Sequence, residues 1–377
     1  MLTMYVARLS RCNEHWLTSS ILQPPYDEDS SHAIAPDMQL STTYRKPGPK
    51  SKVWDGYHEK GGEEGQDWQD PPMHVYSRYT SETRGRVEKV LTEILQAHSI
   101  TFASGLTAAY AAIIHYSPTI VAIRKGYYGV HSAIETYARG RRDVKVIDLD
   151  DEYPQLETKS RDGTANGGLL VWVESPLNPT SEARDIKRYA ERAHKVGGIV
   201  VVDSTLAPLQ NVFDMGADMS MHSATKYFGG HSDLLTGVLA VKSKKEWSQL
   251  FDDRKNIGGM PGNFEAWLLL RSLRTLHVRW RQQSQTGVKL AQWLQSLVAE
   301  AKVPSRDPQD QDIIKAGIMN RVWHASFQPR QDVDPAKAPR FEEGGKDFDP
   351  SNQMKEGWPA TFAFRVSTIL VGLSHSD

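Results

Sequence analysis

In the segment SATKYFGGHSD, Ser223 to Asp233, a lysine stands between small hydroxyl residues and a glycine-rich turn. Such a lysine suits Schiff-base chemistry, because its amine must be partly neutral and a desolvating pocket beside another cation lowers its pKa. The hydroxyls of Ser223 and Thr225 can donate hydrogen bonds to a phosphate, and the glycines let the backbone approach a bound group closely. An exposed surface lysine in a turn accounts for the same residues equally well.

Upstream, VVDSTLAP places Asp203 directly after an apolar run, where a carboxylate is costly unless a cation partners it. A protonated pyridine nitrogen would be such a partner, and the pairing strengthens its action as an electron sink. An acidic cap or turn residue is the plainer alternative. In FASGLTAAYAAI, Ser104-Gly105-Leu106 opens a small-residue helix whose free amides and dipole favour an anion. Small-residue helix starts are common, so this cradle gains weight only from its company. Two other chemistries are disfavoured. His231-Ser232-Asp233 are adjacent and cannot converge as a triad, and no GxSxG elbow is present. No GxGxxG follows a strand, which argues against a dinucleotide enzyme.

These residues need elements to position them, and the chain supplies a pattern. TIVAIRKG, DVKVIDLD, GGLLVWVESP, GGIVVVDSTLAP and GVLAVK read as buried strands that end in turn residues. RVEKVLTEIL and IKRYAERAHKVG carry apolar residues at helical spacing. Alternating strands and helices predict a mostly parallel sheet, which binds ligands at the carboxyl ends of its strands. The segment FEAWLLLRSLRTLHVRWRQQSQTGVKLAQWLQSLVAE reads as one long or two consecutive helices. RQDVDPAKAPRFEEGGKDFDP is loop-like. Residues 1–73 are rich in Pro, Gly, Asp and Lys and read as an extended arm.

The 377 residues exceed one compact core, so a large domain and a smaller appendage are expected. With 45 Lys and Arg against 46 Asp and Glu, the formal charge is −1, and no basic field exists to hold nucleic acid or an anionic membrane. The expected partner is a small molecule. Cys12 alone can form neither an internal disulfide nor a CxxC metal site, no metal is expected, and no signal-like or membrane-spanning stretch is evident. A reducing, cytoplasmic setting is expected.

Taken in order, VYSRYTSETR, FASGLTAA, VESPLNP, VVDSTLAP and SATKYFGGHSDLLTGVLAV resemble the signature segments of the cystathionine gamma-synthase-like enzymes of Cys/Met metabolism. The resemblance covers about Val75 to Leu276. It implies the aspartate aminotransferase-like fold of pyridoxal-phosphate (PLP) transferases: a three-layer αβα large domain at 74–278, the arm before it, and a smaller α+β domain at 279–377. It implies PLP linked to Lys226, with Ser223, Thr225 and the amides of Gly105 and Leu106 around the phosphate and Thr205 also among the cofactor-binding residues. Asp203 would face the pyridine nitrogen and Tyr127, in GYYGVH, would stack on the ring, with Tyr128 the alternative in the next register. Asn178, supported by Glu174, would touch the ring oxygen or the substrate. Tyr76 and Arg78 would reach the phosphate of a neighbouring subunit, in a homodimer or homotetramer with shared sites.

The tail departs from the family pattern. FRVSTILVGLSHSD, with Arg365, Ser367, Val371 and Gly372, loosely matches the family strand whose arginine binds the substrate carboxylate, which makes Arg365 the candidate anchor, with an ordinary surface arginine the plainer alternative. The serine segment before that strand is not evident, so an incomplete small domain is expected. The favoured activity is that of a cystathionine gamma-synthase, joining an O-acyl-homoserine to cysteine. A cystathionine beta- or gamma-lyase, a related gamma-class enzyme, and a PLP-binding paralogue without turnover are the alternatives.

Overall fold

The structure, a computed structural model, describes residues 35–48, 51, 53, 66–141, 143–156, 168–301, 303–328 and 348–367. Cys12, much of the expected arm, most of RQDVDPAKAPRFEEGGKDFDP, Val371 and Gly372 lie outside them.

Alternating burial along the strands builds two cores at once. β4 (Leu169–Glu174) directs Leu169, Val171 and Val173 to one face and Leu170 and Trp172 to the other, and β5 (Ile199–Asp203) divides Val200 and Val202 from Val201 in the same way. On the first face pack α1 (Glu82–Leu95), α4 (Ile186–Lys195) and α6 (Asn263–Leu273). On the second pack α2 (Gly105–Tyr116), α3 (Tyr128–Ala138) and α5 (Lys244–Ile257). The result is the expected three-layer αβα arrangement.

The sheet also contains β1 (His98–Phe102), β2 (Ile120–Ala122), β3 (Lys145–Ile147), β6 (Met219–Ser223) and β7 (Gly237–Val241). Its order is β1-β7-β6-β5-β4-β2-β3. The pairings from β3 through β6 are parallel, and β7 runs antiparallel to both β6 and β1. Helix starts follow local capping. Ser81, Asp185 and Ser243 each accept a hydrogen bond from an amide of the first turn, and Glu246 completes an S-x-x-E start for α5.

The expected helical run beyond Gly262 is two helices, α6 and α7 (Leu276–Ser296), that meet at Arg274 and Thr275. After them come a short helix, α8 (Gln311–Lys315), and an antiparallel pair, β8 (Met319–Trp323) and β9 (Ala363–Val366). A separate small apolar cluster joins Ala291, Leu294, Leu297, Met319 and Val322 there. Among the described residues no helix is long and apolar enough to cross a membrane.

Candidate active site

The carboxyl ends of β4 and β5 bring two acids together. Glu174 and Asp203 are the last residues of these strands and lie in register with each other. Glu174 is already engaged: its Oε2 accepts the Tyr127 amide at 2.7 Å and its Oε1 the Asn178 amide at 2.7 Å. That arrangement depends on Gly126, whose φ of +105° and missing side chain leave room for the Glu174 carboxylate. Asp203 is buried and accepts the Thr205 amide at 3.0 Å. Burial raises the pKa of both acids, and the neighbouring Asp203 charge adds to the rise at Glu174, which reaches about 7. Among the described residues no cation pairs with Asp203. It is the carboxylate whose charge is left to a ligand.

Thr205 ties this pair to the next strand, because its Oγ1 accepts the Ser223 amide at 2.8 Å. Ser223 ends β6 and touches the start of α2. A Cβ at Gly105 would lie 2.7 Å from the Ser223 Cβ and 2.8 Å from its Oγ, so only glycine lets helix and strand meet this closely. Ser104 caps α2 by accepting the Thr107 amide at 3.0 Å, and the first-turn amides of Gly105 and Leu106 have no partner within the helix. Leu106 is exposed and Ser223 half-buried beside them. The Thr225 hydroxyl is buried and has no hydrogen-bond partner among the described residues. Amides, hydroxyls and a helix start thus form an anion cradle at the strand ends.

Lys226 lies on the turn between β6 and β7. Gly230 donates its amide to the Lys226 carbonyl at 2.6 Å, and Gly229 donates to Ala224 at 2.7 Å. Arg279 of α7 braces the turn from outside, with Nη1 donating to the Tyr227 carbonyl at 2.7 Å and Nη2 to the Phe228 carbonyl at 3.2 Å. Ala224 and Phe228 are the buried anchors, whereas the Lys226 side chain is exposed. The desolvating pocket expected around its amine is therefore not made by the described residues of one chain.

Tyr127 immediately precedes α3 and is 40% exposed, and its ring lies 5.0 Å from that of Tyr128. Burial and then Tyr128 raise its pKa. Asn178 is exposed just beyond β4. Tyr76 and Arg78 stand elsewhere, against the end of α5. Arg78 Nη1 donates to the Lys255 carbonyl at 2.8 Å, and its guanidinium lies 5.5 Å from the Tyr76 ring centre and 5.1 Å from that of Tyr79. Arg365 is exposed on β9 with its guanidinium 5.4 Å from the Trp323 ring centre. Gly126 and Arg279 are contributors that motif reading missed. Gly126 had a signal, as the glycine that ends TIVAIRKG. Arg279 had none, since its partners are carbonyls some fifty residues away in sequence.

The lysine turn, the cradle and the two buried carboxylates all lie at the carboxyl ends of the parallel strands, where open sheets of this kind bind ligands. The chain belongs to the Cys/Met metabolism PLP-dependent enzyme family, whose sequence profile matches residues 18–307. It is 33% identical over 278 residues to a cystathionine gamma-lyase of Saccharomyces cerevisiae, a match that spans 71% of this chain. The chain covers 64% of that enzyme's own length. It is 31% identical over 324 residues to the cystathionine gamma-synthase of Escherichia coli, covering 84% of this chain and 78% of that one. The structure of a cystathionine gamma synthase from Xanthomonas oryzae pv. oryzae in complex with aminoacrylate and cysteine superimposes with a TM-score of 0.65. That match spans 93% of this chain and 78% of that one at 21% identity, a likeness that shows the fold.

The family's cofactor is pyridoxal 5'-phosphate, and the residues present fit it. The cradle offers the unpartnered Thr225 hydroxyl and the first-turn amides of α2 for a phosphate, and Asp203 offers a buried negative charge for the ring nitrogen.

Proposed function

We propose that the chain is a PLP-dependent enzyme of transsulfuration that joins an O-acyl-homoserine to cysteine, as a cystathionine gamma-synthase does. The observation that carries this reading is the convergence of Asp203, Ser223 and the α2 start around the turn that bears Lys226. The relative from Escherichia coli, named cystathionine gamma-synthase, supports the choice of reaction. The relative named cystathionine gamma-lyase supports a second reading, in which cystathionine is cleaved.

In the proposed site Ser223, Thr225 and the amides of Gly105 and Leu106 would hold the phosphate, with Thr205 also among the cofactor-binding residues. Lys226 would be the residue that links the cofactor. Asp203 would partner the ring nitrogen, Tyr127 would stack on the ring, and Asn178 would meet the ring oxygen. When bound, the cofactor supplies an electron sink for negative charge at the substrate's α-carbon. Lys226 then acts as the base that takes the α proton and as the acid that returns it. Glu174 fixes Tyr127 and Asn178 through their amides, so both flank the same space. Arg365 would bind the substrate carboxylate, in a smaller C-terminal domain at 279–377. Tyr76 and Arg78 would complete the phosphate site of a neighbouring subunit, Arg78 being half-buried against the last turn of α5 in its own chain.

The test compares two incubations of the PLP-loaded protein, one with O-acyl-homoserine and cysteine and one with cystathionine alone. Cystathionine formed in the first supports the synthase. Keto acid and ammonia released only in the second would support the lyase, and an absorbing cofactor with no product in either would identify a paralogue without turnover.

A further inference from the structure

The residues directly after the two site carboxylates are held by a buried glutamine from the distant C-terminal segment. Ser175 follows Glu174 and Ser204 follows Asp203, and both serines are fully buried. Gln353 Nε2 donates to Ser175 Oγ at 3.0 Å and to Gln210 Oε1 at 3.0 Å. Gln210 Nε2 in turn donates to the Ser175 carbonyl and to Ser204 Oγ, both at 3.2 Å. Ser204 Oγ donates to the Ala207 carbonyl at 2.8 Å, and Gln353 Oε1 accepts the Ile186 amide at 3.3 Å. Gln210 and Gln353 are buried, so each bond lies in a low-dielectric setting where a lost partner leaves an unsatisfied group.

We infer that Gln353 is a positioning residue: through Gln210 it clasps the ends of β4 and β5 and sets where the Glu174 and Asp203 carboxylates stand. Met354 beside it packs with Ala183 and Ala325 as an ordinary apolar contact, whereas the Gln353 amide joins Ser175 and Gln210 on one side and the first turn of α4 on the other. A second glutamine anchors the same region, with Gln328 exchanging two hydrogen bonds with the backbone of Ala183. That contact ends on residue 183 and not on the serines after the carboxylates. Among the described residues of the C-terminal segment, Gln353 is the one that reaches the serine after Glu174. The inference rests on the reading of Asp203 as the cofactor's partner.

The test uses the full-length PLP-loaded protein and three variants. Gln353→Met keeps the volume and removes the amide. Gln210→Met breaks the same chain from its other end. Ser284→Ala is the structural control, since Ser284 Oγ accepts the Trp358 amide at 2.8 Å and secures the same C-terminal segment without touching Ser175 or Ser204. Two quantities are read: the cofactor dissociation constant, and the pH midpoint of the bound cofactor's visible absorption. Gln353→Met is expected to weaken cofactor binding about tenfold, the equivalent of one buried polar group left unpaired, and to shift the midpoint. Gln210→Met should give the same shift and the double variant no more than either, while Ser284→Ala lowers the melting temperature with the midpoint unchanged. A Gln353→Met protein that shares the wild-type midpoint, or behaves as Ser284→Ala does, overturns the inference. Failure of the cofactor reading itself is distinct, because the wild-type protein would then show no cofactor absorption.

Discussion

Glu174 and Asp203 stand side by side at the ends of neighbouring parallel strands, in register, and the two acids differ in what already holds them. Two backbone amides, those of Tyr127 and Asn178, occupy Glu174. Asp203 has only the turn at Thr205 and no cation among the described residues. A ligand cation therefore gains most beside Asp203, and binding it there also relieves the Asp203 repulsion that adds to the burial-driven rise of the Glu174 pKa.

This pair gives the cofactor-free protein a pH dependence whose sign is fixed. The folded-state pKa of Glu174 lies above its unfolded value, so its contribution is fully present below about 4.5 and is lost as pH rises through about 7. The loss is on the order of 2–3 kcal/mol, reduced by any relaxation around the buried pair. Asp203→Asn removes the like charge and should flatten the loss. Urea midpoints of the cofactor-free proteins on either side of that window check this, and equal slopes for wild type and variant would refute it.

The contact between Gly105 and Ser223 leaves no space for a methyl group. Gly105→Ala should push α2 from β6, at a cost of about 1–3 kcal/mol, and open the anion cradle. A cofactor titration should show affinity weakened about tenfold or more. An unchanged dissociation constant would mean that the phosphate is held elsewhere.

If Arg78 serves a neighbouring subunit, Lys226→Ala and Arg78→Ala chains should complement each other. In a mixed pair, one site combines both defects and the other combines a native lysine with a native arginine. After subunit exchange an equal mixture of two inactive proteins should regain roughly a quarter of the native sites, the share expected for random twofold pairing. Activity that stays at zero after exchange, with mixed pairs demonstrated by mass, would place Arg78 in the service of its own chain.

The valine-rich strands were legible because each alternates between two apolar faces, which leaves a run of Val and Ile with few other fates. β1 and β6 were not read as strands. HSITF and MSMHS carry buried polar residues that break the apolar run, and their partners are not marked in sequence: Thr101 Oγ1 donates to Glu88 Oε1 at 2.6 Å, and Ser220 Oγ lies 2.8 Å from His222 Nε2. Within the site, Lys226, Asp203 and Gly105 declare themselves by their local setting. Gln353 does not, because its partners are separated from it by well over a hundred residues and nothing in PSNQMKEG marks it. Its meaning is entirely tertiary.

The central claim is that the cofactor is carried on Lys226. Borohydride reduction of the PLP-loaded protein, followed by digestion and peptide mass mapping, tests it directly. The account predicts a single reduced pyridoxyl adduct on the peptide that contains SATKYFGG, absent from Lys226→Ala, which still binds the phosphate reversibly through Ser223, Thr225 and the start of α2. A reduced adduct on any other lysine, or one that survives in Lys226→Ala, would contradict the assignment of the whole site.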